Sequence, residues 1–395
     1  MKKQTNFLKI IYFIKFFSDA IFSGYLSMFF ASKFDRYSLE YGILLGVIPF
    51  CALIGNFIWG LVSKNVKRNL LLIKIIISLE SIAMLLFISL GNNFYLLLLF
   101  TIFLGLFNSP CFTMQDGLGS SYSKKENTSY PSIRYMGSIG YLCALALGAG
   151  LIQLFNNNYV YIFIISLLLN IVCLILWFFV KPFENVSEEE KKKVRFSEVL
   201  KNKTFILYFI AYLLIIGSNN VADSYLYSRL SEVGIESYQY SLVFASEVLL
   251  EIIVLMVSAK FVKEKHYLLV LKVSIAVIFL RSFLFGFNLP LNVLVFIAPL
   301  RGIGWGGFLS IHILILRKIV SNKLVTKAIS LLTIALSFVN GIMTIFGTSI
   351  YSVLSLTGFY FLLSGIELIG IIIIYCMKFK FSEEADYENK NLGRS

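Results

Sequence analysis

Charged residues are scarce in this chain, 14% of 395 residues against 58% hydrophobic. Soluble domains carry about 25% charged residues, so an ordinary globular composition is excluded. No GxxxxGK[ST] phosphate cradle is present, which argues against ATP drive within the chain. No HExxH, GxSxG or CxxC framework occurs, and no nucleophile–base set stands out. The sequence therefore does not read as an enzyme, and it calls for no cofactor and no metal. The five cysteines (Cys51, Cys111, Cys143, Cys173, Cys376) lie in or beside apolar stretches without ligand spacing, and read as small buried hydrophobes. The first apolar stretch follows Met1, Lys2 and Lys3 and passes Phe29 without a small-residue cleavage site. It is expected to be a retained helix rather than a signal peptide.

What is present is apolar sequence in span-length blocks. A bilayer crossing needs about 20 apolar residues. Twelve such blocks are predicted, at 7–30, 40–63, 70–90, 93–115, 129–153, 159–180, 204–228, 239–262, 267–288, 291–317, 324–350 and 354–378. Little chain is left for a soluble domain. The charged segment 181–203 divides the blocks six and six and reads as a linker with short helical character. The expected organisation is a six-helix bundle over 1–180, the linker, a second bundle over 204–378, and a tail over 379–395.

The net charge of +13 is not spread as a nucleic-acid binder would spread it. Basic residues fall in every second loop: Lys64, Lys67 and Arg68; Lys124 and Lys125; Lys191, Lys192, Lys193 and Arg195; Lys260, Lys263 and Lys265; Arg317, Lys318, Lys323 and Lys327. The alternate loops hold only Lys33, Arg36 and Arg229. This is the positive-inside pattern, and it places both termini in the cytoplasm.

The halves echo each other at an offset of about 200 residues. Ser18-Asp19 maps to Ser218-Asn219, Tyr25-Leu26 to Tyr225-Leu226, and Leu79-Glu80-Ser81 to Leu280-Arg281-Ser282.

Charges at bilayer depth cost about 2.5–3.5 kcal/mol each on insertion scales, so they persist where they pair or face a watery path. Asp116 and Arg134 each lie nine residues from Lys125, the centre of the turn between the fourth and fifth spans. On an antiparallel hairpin they reach the same depth, either as a structural lock or as a site for hydroxyls or a carboxylate. Glu247 and Arg281 each lie seventeen residues from Glu264 and meet by the same arithmetic. Glu251 is one turn beyond Glu247. Asp223 follows the polar run Ser218-Asn219-Asn220, and Arg301 is at mid-depth of the tenth span. Asp19 is spaced for an i,i+4 pair with Lys15, and Glu80 holds the repeat position of Arg281. Glu367, on an outer helix, reads as structural.

A carboxylate whose cationic partner comes and goes can take up and release a proton. Asp223 and Glu247 are the candidates, with Arg281, Arg301 and Asp19 around them. The alternative is permanent neutralisation by Arg281 or Arg301. Tyr141 stands two turns beyond Arg134 over Gly137 and Ser138, as a plate for a flat ring or as helix packing. Asn220 and Trp305 complete the candidate binding set. Gly302, Gly304, Gly306 and Gly307 around Trp305 mark either a gating bend or close packing. His312 reads as a satisfied hydrogen-bond partner.

Residues 60–68 (GLVSKNVKR) resemble the second-to-third-helix loop of the major facilitator superfamily, with Ser63 for the usual aspartate and Val66 for the usual glycine. Residues 134–141 (RYMGSIGY) resemble the fifth helix of the oligosaccharide:proton symporters, of which lactose permease is the type, and of phenylpropionate-type permeases. That resemblance implies sugar binding by Asp116 and Arg134, stacking on Tyr141, and coupling roles for Glu247 and Arg281. The family's tenth-helix histidine and glutamate fall near Gly304 and Gly307 here, and its lysine near Arg301, so the coupling ion is left open between proton and sodium.

The expected protein is all-α, a polytopic membrane protein with twelve transmembrane helices in two pseudo-symmetric bundles. It is expected in the cytoplasmic membrane as a monomer, with a small-molecule substrate, protons or sodium, and membrane lipid as partners, and no nucleic acid. Proton-coupled uptake of a sugar or oligosaccharide by alternating access is the first reading. Proton-antiport efflux of amphipathic compounds, uptake of nucleosides or aromatic acids, and a non-transporting receptor are the others.

Overall fold

The computed structural model describes residues 3–63, 65–89, 93–183, 196–321, 324–377 and 379. Most of the expected linker, the tail beyond residue 379, and Lys64, Lys191, Lys192, Lys193, Arg195 and Lys323 lie outside the described residues.

Helices account for nearly all of the rest, with no strand among the described residues. In order they are α1 (Lys3–Ser23), α2 (Leu26–Lys33), α3 (Leu39–Val62), α4 (Val66–Ser89), α5 (Phe94–Lys125), α6 (Tyr130–Leu154), α7 (Tyr159–Phe178), the short α8 (Phe196–Val199), α9 (Lys203–Tyr212), a π-helical segment (Leu213–Gly217), α10 (Ser218–Ser224), α11 (Leu226–Glu232), α12 (Ser237–Phe261), α13 (Tyr267–Phe285), α14 (Leu291–Ile297), α15 (Leu300–Ile319) and α16 (Val325–Cys376). Among the described residues, ten helical stretches are long and apolar enough to cross a membrane, some of them joining consecutive elements, as Lys203–Ser224 and Leu291–Ile319 do. Several begin at a polar cap: Ser38 accepts from Tyr41 N, Asn93 from Tyr95 N and Leu96 N, Asn158 from Val160 N, and Asn202 from Phe205 N.

Where spans and helices differ, a local break explains the difference. The 52 residues of α16 would measure about 78 Å if straight, more than twice a bilayer core. Ser355 (φ 64, ψ 165) interrupts it. Tyr351 and Phe359 then meet edge to face with ring centroids 5.7 Å apart, whereas residues eight apart in a straight helix stand about 12 Å apart. The eleventh and twelfth spans are thus one continuous assignment around a sharp reversal. The first and seventh spans break at the same repeat position. Tyr25 (φ −111, ψ 0) separates α1 from α2, and Tyr225 (φ −104, ψ 7) separates α10 from α11. Both tyrosines are fully buried. The fourth span does not end near Asp116, because α5 continues through Lys125.

The chain packs as two compact units. The first comprises Met1–Glu189, Ile235–Ala245 and Thr344–Ser349, and the second Glu190–Gly234, Ser246–Met343 and Ile350–Ser395. In the first unit α1 packs on α6 and α7, and α5 on α3 and α4. Lipid tails are as apolar as leucine, so helices in a bilayer associate through close packing rather than hydrophobic burial. Small residues permit it here. A Cβ on Gly140 would come within 2.3 Å of Phe13 O, and one on Gly105 within 2.6 Å of Cys51 Cβ. Cys51, Cys111 and Cys173 are buried as expected, whereas Cys143 is only half-buried and Cys376 is exposed.

Arg229, assigned from the sequence to a solvent loop, is 1% exposed. Its Nε donates to Phe285 O at 3.0 Å and its Nη2 to Phe287 O at 2.8 Å, so the guanidinium caps the end of α13. Arg229→Ala would strand both carbonyls. It is expected to lower the stability of the purified protein by about 3 kcal/mol, read as thermal unfolding in detergent.

Candidate functional site

Each unit holds a buried polar cluster between its helices. In the second unit, helices α10, α12, α13 and α15 bring together the charges that the sequence placed on separate spans. Arg281 on α13 reaches Asp223 Oδ1 with Nη1 at 2.6 Å and Glu247 Oε1 with Nη2 at 3.3 Å. Arg301 on α15 reaches Asp223 Oδ2 with Nε at 2.7 Å, Glu247 Oε2 at 3.8 Å, and Glu251 Oε2 with Nη1 at 3.5 Å. Asp223 therefore sits between two guanidinium groups. Arg281 and Glu247 are 1% exposed, while Asp223, Arg301 and Glu251 retain an open edge. Two arginines face three carboxylates, so with all five groups ionised the cluster carries one excess negative charge.

The glycines of α15 make this proximity possible. A Cβ on Gly302 would stand 2.0 Å from Glu247 O, one on Gly306 2.9 Å from Glu251 O, and one on Gly307 2.3 Å from Ser274 Oγ. The choice left open by the sequence falls to close packing, since α15 runs unbroken from Leu300 to Ile319. Gly302→Ala is expected to cost about 1–3 kcal/mol of stability, as overpacking does, and to abolish flux by displacing Arg301. Ile303→Ala, at an exposed position, should leave both unchanged. Thermal unfolding and proteoliposome flux check the pair.

Asn220 is half-buried, and its carbonyl accepts from the Ser224 hydroxyl. The neighbouring Asn219 is the amide that reaches Asp223, at 3.4 Å. Trp305 stacks on Phe308 at 5.8 Å, and Phe308 stacks on His312 at 5.0 Å. His312 Nδ1 shares a hydrogen bond with the Tyr208 hydroxyl at 2.8 Å, so this column is a packed aromatic core with Trp305 at its half-buried end.

In the first unit Asp116 on α5 and Arg134 on α6 meet, but loosely. Arg134 Nε is 3.7 Å from Asp116 Oδ1, and both side chains are more than a third exposed. The guanidinium lies over the Phe16 ring at 4.2 Å. Phe16 in turn fills the space above Gly137, where a Cβ would stand 2.7 Å from the ring. Helix packing, not a bare ring plate, accounts for that glycine. Tyr141 is half-buried and edge-on to Phe244 at 6.3 Å.

The expected Lys15–Asp19 pair does not form. Lys15 Nζ donates instead to Glu80 Oε2 at 2.5 Å and Asn170 Oδ1 at 2.9 Å, in full burial. Full burial favours a partner that is itself buried, and Glu80 is 2% exposed whereas Asp19 is only half-buried. Asn108 links the two acids, donating to Asp19 Oδ1 at 2.6 Å and Glu80 Oε1 at 2.9 Å. Asn108 and Asn170 were missed in the sequence. Lone amides inside apolar spans are the signal that finds them.

In both units a residue of the third span is tied to the first span. Glu80 reaches Lys15 in one, and Arg281 reaches Asp223 in the other, with the signs inverted.

The comparisons agree with this architecture. The uncharacterized transporter YwbF of Bacillus subtilis (strain 168) is 23% identical over 381 residues, covering 96% of this chain and 94% of that protein. The crystal structure of the nucleoside transporter NupG matches with a TM-score of 0.77 at 15% identity, over 95% of this chain and 100% of that one. A bacterial homologue of the human lysosomal transporter Spinster, in an inward-facing and occupied conformation, matches with a TM-score of 0.69 at 14% identity, over 94% and 95%. At those identities the structural likeness speaks for the fold. The MFS_1-like family matches residues 6–365, and the chain belongs to it: an all-helical, multi-pass membrane transporter of the major facilitator type rather than an enzyme.

Proposed function

We propose that this protein is a proton-coupled importer of a small neutral hydroxylated solute, a sugar or a nucleoside, working by alternating access. It is assigned to the cytoplasmic membrane as a monomer, and the basic-loop pattern supports both termini lying inside the cell. The observation that carries the coupling is the excess carboxylate of the second unit: Asp223, Glu247 and Glu251 against Arg281 and Arg301. A proton restores neutrality at low dielectric, and it frees an arginine from its acid.

The loosely held, part-exposed Asp116–Arg134 pair supports substrate binding by the first unit. Its acceptors and donors suit hydroxyls, and Tyr141 offers a ring face. A sugar fits this chemistry, and so does a nucleoside, the substrate named for NupG, whose fold this chain shares. Asn220 and Trp305 are assigned to the same binding role from the second unit, and Asp19 to a secondary proton position.

The test is pH-gradient-driven uptake in proteoliposomes, screened over sugars and nucleosides. Wild type should accumulate one class. Asp223→Asn should lose accumulation yet keep counterflow exchange, because exchange needs no net proton movement. Gradient-driven accumulation by Asp223→Asn would remove Asp223 from coupling. Dependence on sodium instead of pH, or dye efflux, would overturn the proton-import reading.

A further inference from the structure

Glu367 is completely buried, on α16 beyond the Ser355 reversal. Its Oε1 accepts from the Ser282 hydroxyl at 2.9 Å, and its Oε2 is buried without a partner. It forms no ion pair among the described residues. The charged groups that act on it are Arg281 on α13 and Asp223 on α10. Arg281 precedes Ser282 in the chain, and its Nε is likewise buried without a partner. The second unit thus holds a buried orphan acceptor on Glu367 and a buried orphan donor on Arg281. An ionised carboxylate so buried, served by one hydroxyl, is not sustainable.

The internal repeat supplies a second argument. In the first unit the serine of the third span, Ser81, is also bonded to the last span of its half, where it meets the Asn170 amide at 3.1 Å. An amide is permanently neutral. In the second unit a carboxyl takes that place with the bond reversed, the serine donating where Asn170 Nδ2 donates to Ser81, and it is as neutral as an amide only while it carries a proton.

We propose that Glu367 is a second proton-binding carboxyl, neutral while Arg281 is satisfied by the acids of its own cluster. Its meaning for transport rests on the coupling role proposed for Asp223. The proton on Glu367 is separate from the one that Asp223 takes up, so protonation of Asp223 still adds one positive charge to the unit.

The experiment is infrared spectroscopy of the purified full-length protein near neutral pH, in light and heavy water, following the carboxylic-acid carbonyl band. Wild type should show a band that is absent in Glu367→Gln, an almost isosteric change. Ser282→Ala should shift that band without removing it. Asp223→Asn should keep it, because Glu247 and Glu251 then balance Arg281 and Arg301 and no free cation is left to hold an ionised Glu367. A Glu367→Gln spectrum identical to wild type would overturn the neutral acid. Loss of the band in Asp223→Asn would overturn a Glu367 that holds its proton independently of Asp223. These readouts need no substrate, so a protein that shows them but lacks proton-driven flux would retain this site and lose only the transport reading.

Discussion

Arg281→Met should cost the purified protein about 3–5 kcal/mol of stability and abolish transport. The residue is 1% exposed and holds Asp223 at 2.6 Å and Glu247 at 3.3 Å. Methionine fills much of the same volume, so the loss comes from charge, not from a cavity. Breaking a buried pair by removing one partner leaves an uncompensated ion, and that is the expensive half of a buried salt bridge. The cluster would pass from two arginines against three carboxylates to one against three. A second change, Asp223→Asn in the Arg281→Met background, removes one of the stranded charges and should recover most of the stability. Transport should stay lost in the double variant, because the exchangeable arginine–carboxylate contact is gone. Thermal unfolding with flux in the same preparations separates the two effects. Equal stability of wild type and Arg281→Met would mean that the ion pairs contribute nothing to the fold.

Asp116→Asn is the converse case, with little effect on the fold and a large one on binding. The pair with Arg134 is long, at 3.7 Å, and both partners are more than a third exposed. Open pairs of this kind are worth about 0–1 kcal/mol, so unfolding should barely shift. A hydrogen bond from a substrate hydroxyl to a carboxylate is worth about 1.5–3 kcal/mol, which is roughly 10–150-fold in affinity. Binding of the transported solute by calorimetry should weaken by that factor or disappear. Wild-type affinity in Asp116→Asn would return the pair to a structural lock between α5 and α6.

The sequence made the hairpin contacts legible and hid the rest for a physical reason. Asp116–Arg134 and Glu247–Arg281 join consecutive antiparallel helices, where distance from the turn fixes depth. The Lys15–Glu80 bond joins the first and third spans, and no counting from a turn reaches it. Local spacing instead favoured Lys15 with Asp19, but burial of Glu80 outweighs an i,i+4 neighbour. Arg229 resembled a loop cation because it lies at the end of a span. Only the folded path of α13 shows two carbonyls waiting for it. The broken first and seventh spans read as continuous because Tyr25 and Tyr225 carry little signal on their own, whereas the break in the tenth falls at Pro299, a helix breaker visible in the sequence. The glycines of α15 were visible, but what they approach depends on the α12 and α13 backbones.

The central claim is that solute movement and proton movement are one process, and it can be measured directly. Purified protein in proteoliposomes holding an internal pH indicator should acidify the lumen when its solute is added outside. The solute-induced proton flux should be saturable in wild type and absent in Asp223→Asn. Saturable solute uptake with no change in internal pH would contradict the account.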